Sequence, residues 1–430
     1  MGRQNRTSYM KQKIFIHLPA YREPELIPTI ESALENARHP ERLVFGICRQ
    51  YNPEDKFDNL DKYENNPQFK IYHLHYEKAK GLAYARAIIN EELLDDEDFV
   101  LQLDSHHRFN KHFDTKLIKW YDQLVKDGHN PLICGYLPYY DPFNDPEGRI
   151  QEPWFSEPAS FYPHGTIFIR PTGFKDDWKK FTKPVPARFI SGHFCFGPNK
   201  WAKEIKHDTD IYFAGEELNL TIRSYTHGYD LFHPHEVVIW HATMRTERAG
   251  ILAWDDNGKR NNGSWIEQTT QARAKIRQLL GVEENGFDLT GYDIGTVRTV
   301  KDYEKYAGIH FAKKSFQKYT QERSLPPNPV IEDEKEWEDS FMYSFYYLVN
   351  IDPSMLPEKD YESILVAFDD ENGMGINQET ISGKRLEEYL YESKPIHYEK
   401  MFLTDKKPYK VVYWAQSATR GWAERYELVL

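Results

Sequence analysis

Cysteine is scarce in this chain: Cys48, Cys134 and Cys195 are the only three in 430 residues. Each lies inside an apolar run (VFGIC, PLICG, HFCFG), so buried free thiols are expected and no disulfide framework is implied. Apolar residues never run for the roughly 20 positions that a membrane-spanning helix needs. The opening stretch, MGRQNRTSYMKQK, is polar and lacks the apolar core of a secretory signal, so a cytoplasmic location is expected. Positive charge is in deficit, with 55 Lys and Arg against 67 Asp and Glu. The formal net charge of -12 argues against a general nucleic-acid binder. Internal repeats and low-complexity tracts are also missing, which excludes solenoids and disordered arrays. What remains is the composition of a globular protein, long enough for one large α/β domain plus a smaller one.

The chain is organised around residues 98–109, DFVLQLDSHHRF. Its apolar first half reads as a buried central strand that ends in Asp104-Ser105-His106. A carboxylate and an imidazole at the end of such a strand are costly unless something pairs with them. Side chains at i and i+2 of an extended segment point the same way, so Asp104 and His106 can converge on one object. A divalent cation with one oxygen and one nitrogen ligand is the natural candidate. The plainer reading is an Asp that caps the following turn beside a solvated His106.

The surrounding order fits an open parallel sheet. Residues 13–21 read as a first strand, 25–37 as an amphipathic helix and 43–47 as a second strand, together a βαβ unit. FKIYHLHY is a third strand, whose His73 and His75 share a half-buried face. A helix over residues 78–94 is announced by Gly81, with Lys80 and Arg86 near an N-terminus that favours anions. Ligands in such sheets gather beyond the carboxyl ends of the strands, where Pro19, Ala20, Tyr21, Arg49 and Asp104 would lie. A helix over 113–128 and a strand over 131–140 come next. Residues 141–183, rich in Pro and aromatics, read as loops folded against the domain. A strand near 188–197 leads to a helix opened by Gly215-Glu216-Glu217, and a last strand over 237–240 ends in His241. Two further helices, near 265–281 and 300–311, precede the Pro-rich run 324–329, the clearest linker. Beyond it, short β-like runs suggest a small β-sandwich-like appendage.

LPAYRE, KGLAYARA, LQLDSHHRF, ISGHFCFGPNKW and FAGEELNLTIRSYTHGYDLFHPHEVVIWH, in that order, resemble the cytoplasmic polypeptide N-acetylglucosaminyltransferases that modify hydroxyproline. The same blocks are more distantly similar to the mucin-type polypeptide N-acetylgalactosaminyltransferases. The resemblance covers roughly residues 13–248 and implies a GT-A, Rossmann-like nucleotide-sugar domain over 1–325, with a β-rich accessory domain over 330–430. It implies that Asp104, His106 and His241 bind Mn²⁺ or Mg²⁺. Pro19, Ala20 and Tyr21 would line a uridine pocket with Arg49 nearby, and Gly81 and Arg86 would face the ribose and phosphates. Gly192 and His193 would approach the transferred sugar. Glu216 and Glu217 match an acidic pair that contacts sugar hydroxyls or the acceptor, and Arg245 or Arg248 would clamp the leaving diphosphate.

The expected activity is metal-dependent, retaining transfer of N-acetylglucosamine or a related N-acetylhexosamine from a UDP-sugar to a hydroxyl on protein or glycan. Retention by same-face attack is favoured, because no carboxylate stands out in the sequence as a nucleophile. Two alternatives stay open. One is an inverting GT-A polysaccharide or glycan synthase with Glu217 as general base. The other is a carbohydrate-binding protein with a decayed transferase domain.

Overall fold

Strand β1 (Ile14–Tyr21) shows how the fold is built. Its even-numbered Ile14, Ile16, Leu18 and Ala20 enter one buried apolar cluster, while Phe15 enters another on the opposite face. A strand that feeds both faces must be sandwiched between two layers of helix. In the computed structural model the described residues are 12–162, 164–175, 177–243, 251–253, 264–351, 356, 358, 360–391 and 396–430. The chain divides into one unit of Met1–Pro158, Ile169–Ala307 and Glu322–Pro329, and another of Ala159–Phe168, Gly308–Gln321 and Val330–Leu430.

In the first unit, β1 is followed by α1 (Leu26–Asn36), β2 (Leu43–Tyr51), β3 (Phe69–His75), α2 (Leu82–Ile88), β4 (Phe99–Leu103) and β5 (His107–Phe109). Then come α3 (Phe113–Lys126), β6 (Pro131–Cys134), β7 (Trp154–Phe161) and β8 (Ile167–Gly173), whose residues 159–168 are counted with the other unit, β9 (Val185–Pro186), β10 (Phe194–Pro198) and α4 (Asn199–Glu204). The series closes with α5 (Glu216–Thr226), β11 (Asp230–His233), β12 (Ile239–His241), α6 (Trp265–Leu279) and α7 (Val300–Ala307). Eight strands form one sheet in the order β3-β2-β1-β4-β10-β6-β11-β9. The β3-β2-β1-β4 half is parallel, and β10 turns antiparallel against β4. Side chains of α1 and α3 fill one face and those of α2, α4 and α5 the other. This is the mixed α/β, mostly parallel sheet expected from the sequence. Beside it, β5 and β12 pair antiparallel with His241 opposite His107, which carries a distant strand end to the Asp104-Ser105-His106 turn.

The second unit is β-rich, as expected. β13 (Ile309–His310), β14 (Ser315–Gln317), β15 (Phe341–Ile351) and β18 (Ile396–Thr404) form one antiparallel sheet, in that order. β16 (Tyr361–Asp369), β17 (Gly375–Ser382), β19 (Lys410–Ser417) and β20 (Gly421–Val429) form another, ordered β17-β16-β19-β20. Tyr347, Ile364, Val366, Phe368, Tyr398 and Val411 belong to its apolar core.

Several local readings change, among them the strand expected near 188–197, which begins only at Phe194, and the helix expected near 300–311, which ends at Ala307. Residues 141–183 are not all loop: β7 and β8 pair within them. Pro158 and Pro171 inside those strands masked the β pattern, because proline removes a ladder donor. The strand over 131–140 stops at Cys134, where Gly135 takes φ +121° and a Cβ would run into the His233 ring. The run 324–329 is held against the first unit, since buried Arg188 donates to Ser324 O and Asn328 Oδ1, both at 2.7 Å. All three cysteines are free and buried. Among the described residues, no helix is long and apolar enough to cross a membrane.

Candidate active site

Strand β4 delivers Asp104 and His106 to the carboxyl edge of the sheet, and the β5–β12 ribbon brings His241 against them. One ligand atom from each of the three lies within 4.8 Å of the others. Asp104 Oδ2 is 3.7 Å from His106 Nε2 and 3.5 Å from His241 Nε2. Those separations are long for hydrogen bonds and leave room for a shared object. The buried Nε2 of His241 has no hydrogen-bond partner among the described residues. Burial and the neighbouring imidazoles hold the pKa of His241 well below its usual value, so the ring is neutral with a lone pair to offer. Burial would raise the Asp104 carboxyl, but the His241 imidazole and the Arg86 guanidinium outweigh it and hold the group ionised. One carboxylate oxygen and two imidazole nitrogens fit a divalent transition-metal ion.

Beneath Asp104 lies Arg86, fully buried on α2. Its Nη2 donates to Asp104 Oδ1 at 2.8 Å and to Gly192 O at 2.7 Å, and Nη1 donates to Leu103 O at 3.0 Å. Nε forms an ion pair with Glu216 Oε1 at 2.8 Å. The resemblance implied that Arg86 faces the ribose and phosphates. The structure instead spends its guanidinium on the protein, because Arg86 lies on the buried side of α2 with Ala83 and Ala87. Burial pushes Glu216 up to about 7 even though Arg86 pulls the other way. His207 Nε2 donates to Gln102 Oε1 at 2.9 Å, and Gln102 Nε2 donates to Gly192 O at 3.0 Å, which fixes that carbonyl from a second side.

Glu217 is held by a relay. Leu137 N–H donates to His193 Nε2 at 3.1 Å, which leaves the proton of this buried ring on Nδ1. Nδ1 then donates to Ser191 Oγ at 2.8 Å, and Ser191 donates to Glu217 Oε1 at 2.9 Å. Gly192 N also donates to Oε1, at 3.1 Å. Burial raises the Glu217 pKa against the pull of these donors. A Cβ at position 192 would sit 3.0 Å from Glu216 Oε2, so glycine admits the acidic pair. The His193 and His241 rings stack, with centroids 4.1 Å apart and planes 4° apart. The acidic pair and the Asp104, His106 and His241 cluster are therefore parts of one packed group.

On the opposite side, Pro19, Ala20 and Tyr21 end β1 in register with Cys48, Arg49 and Gln50 of β2. Arg49 Nη2 pairs with buried Asp58 at 2.8 Å and its guanidinium lies over Tyr51. Gly81 takes φ +108°, and a Cβ there would meet Tyr212 at 2.6 Å. Tyr212 O in turn accepts from Leu82 N at 3.0 Å. A cavity of about 340 Å³ lined by Lys80, Asp210, Tyr212, Gln268, Gln271 and Lys275 opens at this end of α2. Arg245 and Arg248 lie outside the described residues. Sequence reasoning missed Glu23, whose Oε2 accepts from His106 Nδ1 at 2.9 Å, and His107, whose ring is 5.0 Å from that of His241. The glutamate was in plain view in LPAYRE, and His107 beside His106.

The mostly parallel sheet, with the Asp-x-His step leaving its central strand, frames the site, and family membership gives the class as glycosyltransferase. The model of the family described as Glycosyltransferase (GlcNAc) matches residues 13–68 and 57–313, and the chain belongs to that family. Among solved structures, it is similar to GalNAc-T7 crystallised with UDP, GalNAc and Mn²⁺ (TM-score 0.46, 13% identity), covering 62% of this chain and 48% of that one. It is also similar to S. aureus TarS 1-349 in complex with UDP-GlcNAc (TM-score 0.39, 12% identity), covering 65% of this chain and 69% of that one. The chain thus spans under half the length of GalNAc-T7. No curated protein sequence matches it.

Proposed function

We propose that this glycosyltransferase moves N-acetylglucosamine, or a related N-acetylhexosamine, from a UDP-sugar to a hydroxyl on protein or glycan, with metal dependence and retention. The donor chemistry would be that of the cytoplasmic polypeptide N-acetylglucosaminyltransferases that the sequence blocks resemble, with the acceptor hydroxyl left open between protein and glycan. The single observation that carries this reading is the meeting of Asp104, His106 and His241 within 4.8 Å at the carboxyl end of the central strand. Those three would hold the cation, and two nitrogen donors favour Mn²⁺ over Mg²⁺. When bound, the ion supplies positive charge against the leaving diphosphate.

The chain's own residues supply the rest. Pro19, Ala20, Tyr21 and Arg49 line the uridine side, and Gly81 lets the chain turn closely into α2. Gly192 and His193 face the transferred sugar. Arg86 acts from below by fixing Asp104 and the Gly192 carbonyl. Arg245 and Arg248 are the candidates for clamping the diphosphate. Glu217 already accepts from Ser191 and Gly192 on Oε1, which suits holding a hydroxyl better than attacking a sugar carbon. This supports same-face attack, in which a leaving phosphate oxygen takes the acceptor's proton. We assign the transferase role to the first unit and an accessory role to residues 330–430. Three unpaired cysteines suit the reducing cytoplasm.

The test is a panel of UDP-sugars assayed for UDP release with Mn²⁺ and with chelator, followed by NMR of the anomeric product. UDP-N-acetylglucosamine should give metal-dependent release and a retained anomer. Asp104→Ala and His241→Ala should lose at least 100-fold while circular dichroism stays unchanged. Full turnover in chelator, or in either variant, would defeat the reading, and an inverted anomer would make Glu217 a general base.

A further inference from the structure

We propose that Glu23 is a positioning residue for the cation site: it fixes the His106 tautomer so that Nε2, and not Nδ1, is offered to the metal. The proposal rests on the metal-dependent reading above and adds a residue outside the ligand set. Glu23 follows β1 at the entrance to α1, and none of its surface reaches solvent. Burying a carboxylate is costly unless the charge is engaged. Its Oε2 is engaged by His106 Nδ1 at 2.9 Å, with Ser105 Oγ at 3.5 Å, and its Oε1 accepts from Glu25 N at 3.1 Å.

Glu23 Oε2 also faces the Ser105 hydroxyl as acceptor and Oε1 accepts from Glu25 N, so the carboxyl stands as an acceptor. In a His106 ring that carries a single hydrogen, that hydrogen sits on Nδ1. The lone pair is then on Nε2, the atom that faces Asp104 Oδ2 at 3.7 Å. The competing tautomer would place a hydrogen on Nε2, aimed at Asp104, and a small ring movement would close the site with an internal hydrogen bond. Glu23 removes that competitor. The same turn is held from α1 a second time: Thr29 Oγ1 donates to Ser105 O at 3.1 Å and accepts from His107 N at 2.8 Å. The start of α1 therefore sets both the proton and the orientation of a ligand that belongs to another strand. A carboxylate behind a metal-bound imidazole raises ligand basicity, and losing such a partner typically weakens metal binding about 10–100-fold.

The experiment measures Mn²⁺ affinity by calorimetry on the full chain without nucleotide, for wild type, Glu23→Gln, Glu23→Ala and Asp104→Ala. It is joined by long-range ¹H–¹⁵N NMR of the imidazoles in metal-free wild type. Expected are an Nδ1-protonated His106 and Mn²⁺ affinity reduced about 10-fold or more in Glu23→Ala, with Glu23→Gln between it and wild type. Glu23 variants within twofold of wild type, while Asp104→Ala abolishes binding, would overturn the positioning role and leave the metal reading intact. An Nε2-protonated His106 in wild type would overturn it as well, whether or not the variants fold. Wild type that binds no Mn²⁺ would remove the metal reading and this proposal together.

Discussion

Replacing Arg86 with methionine tests whether one buried guanidinium holds the site's carboxylates together. The side chain is wholly inside and serves Asp104, Glu216 and the carbonyls of Leu103 and Gly192. Methionine keeps most of the volume, so little of the effect is cavity. Removing one partner of a buried ion pair costs about 3–5 kcal/mol, because the remaining charge is left uncompensated. The Gly192 carbonyl keeps its bond from Gln102, so the loss belongs at the lower end, about 3 kcal/mol at pH 8.

The pH dependence follows from Glu216. Its folded pKa, about 7, lies above its ordinary value of 4.5, so the folded chain binds the extra proton between these two. The contribution of this group to stability therefore falls as pH rises through that window. Without Arg86 the folded pKa climbs further, so the penalty of the substitution grows from pH 5 to pH 8. Urea unfolding of wild type and Arg86→Met at both pH values, followed on the transition of the first unit, reads the difference. A loss below about 1 kcal/mol at pH 8 would refute the reasoning, since that is the scale of an exposed pair. An equal loss at both pH values would refute it too.

Other expectations follow from the same geometry. Gly81→Ala forces a Cβ to within 2.6 Å of Tyr212 at φ +108°; a loss of more than about 1 kcal/mol, seen as a lower Tm, is expected. A Tm unchanged in that variant would mean that the Gly81 turn is not under this constraint. Ser191→Ala breaks the link from His193 to Glu217 and should lower kcat about tenfold, the equivalent of ~1.4 kcal/mol in the barrier, with little change in donor KM. A kcat equal to wild type would remove Glu217 from the reacting group.

The strands that build the sheet were readable because β1, β2 and β4 are short apolar runs, and buried parallel strands have that composition. The i, i+2 spacing of Asp104 and His106 also carried their shared direction. His241 was marked by its place at a strand end, but what brings it to Asp104 is the pairing of β5 with β12, which depends on tertiary structure. Arg86 was misplaced because an arginine near a helix start looks like an anion ligand, although its spacing from Ala83 and Ala87 put it on the buried face. Glu23 drew no reading of its own inside the LPAYRE block, and only the packing of α1 under the Ser105 turn reveals its partner. The β7–β8 pair stayed hidden behind its prolines. Nothing in the local pattern at 324–329 announces that Arg188, over a hundred residues earlier, holds that segment.

The central claim is that Asp104 and His106, two residues apart, and the remote His241 hold one cation under a nucleotide's diphosphate. Anomalous diffraction at the manganese edge, from crystals grown with UDP and Mn²⁺, tests it most directly. The account predicts one strong peak bonded to Asp104, His106 Nε2 and His241 Nε2, with phosphate oxygens completing the shell. UDP bound in the same crystal with no manganese peak at those three residues, or with the peak elsewhere, would contradict it.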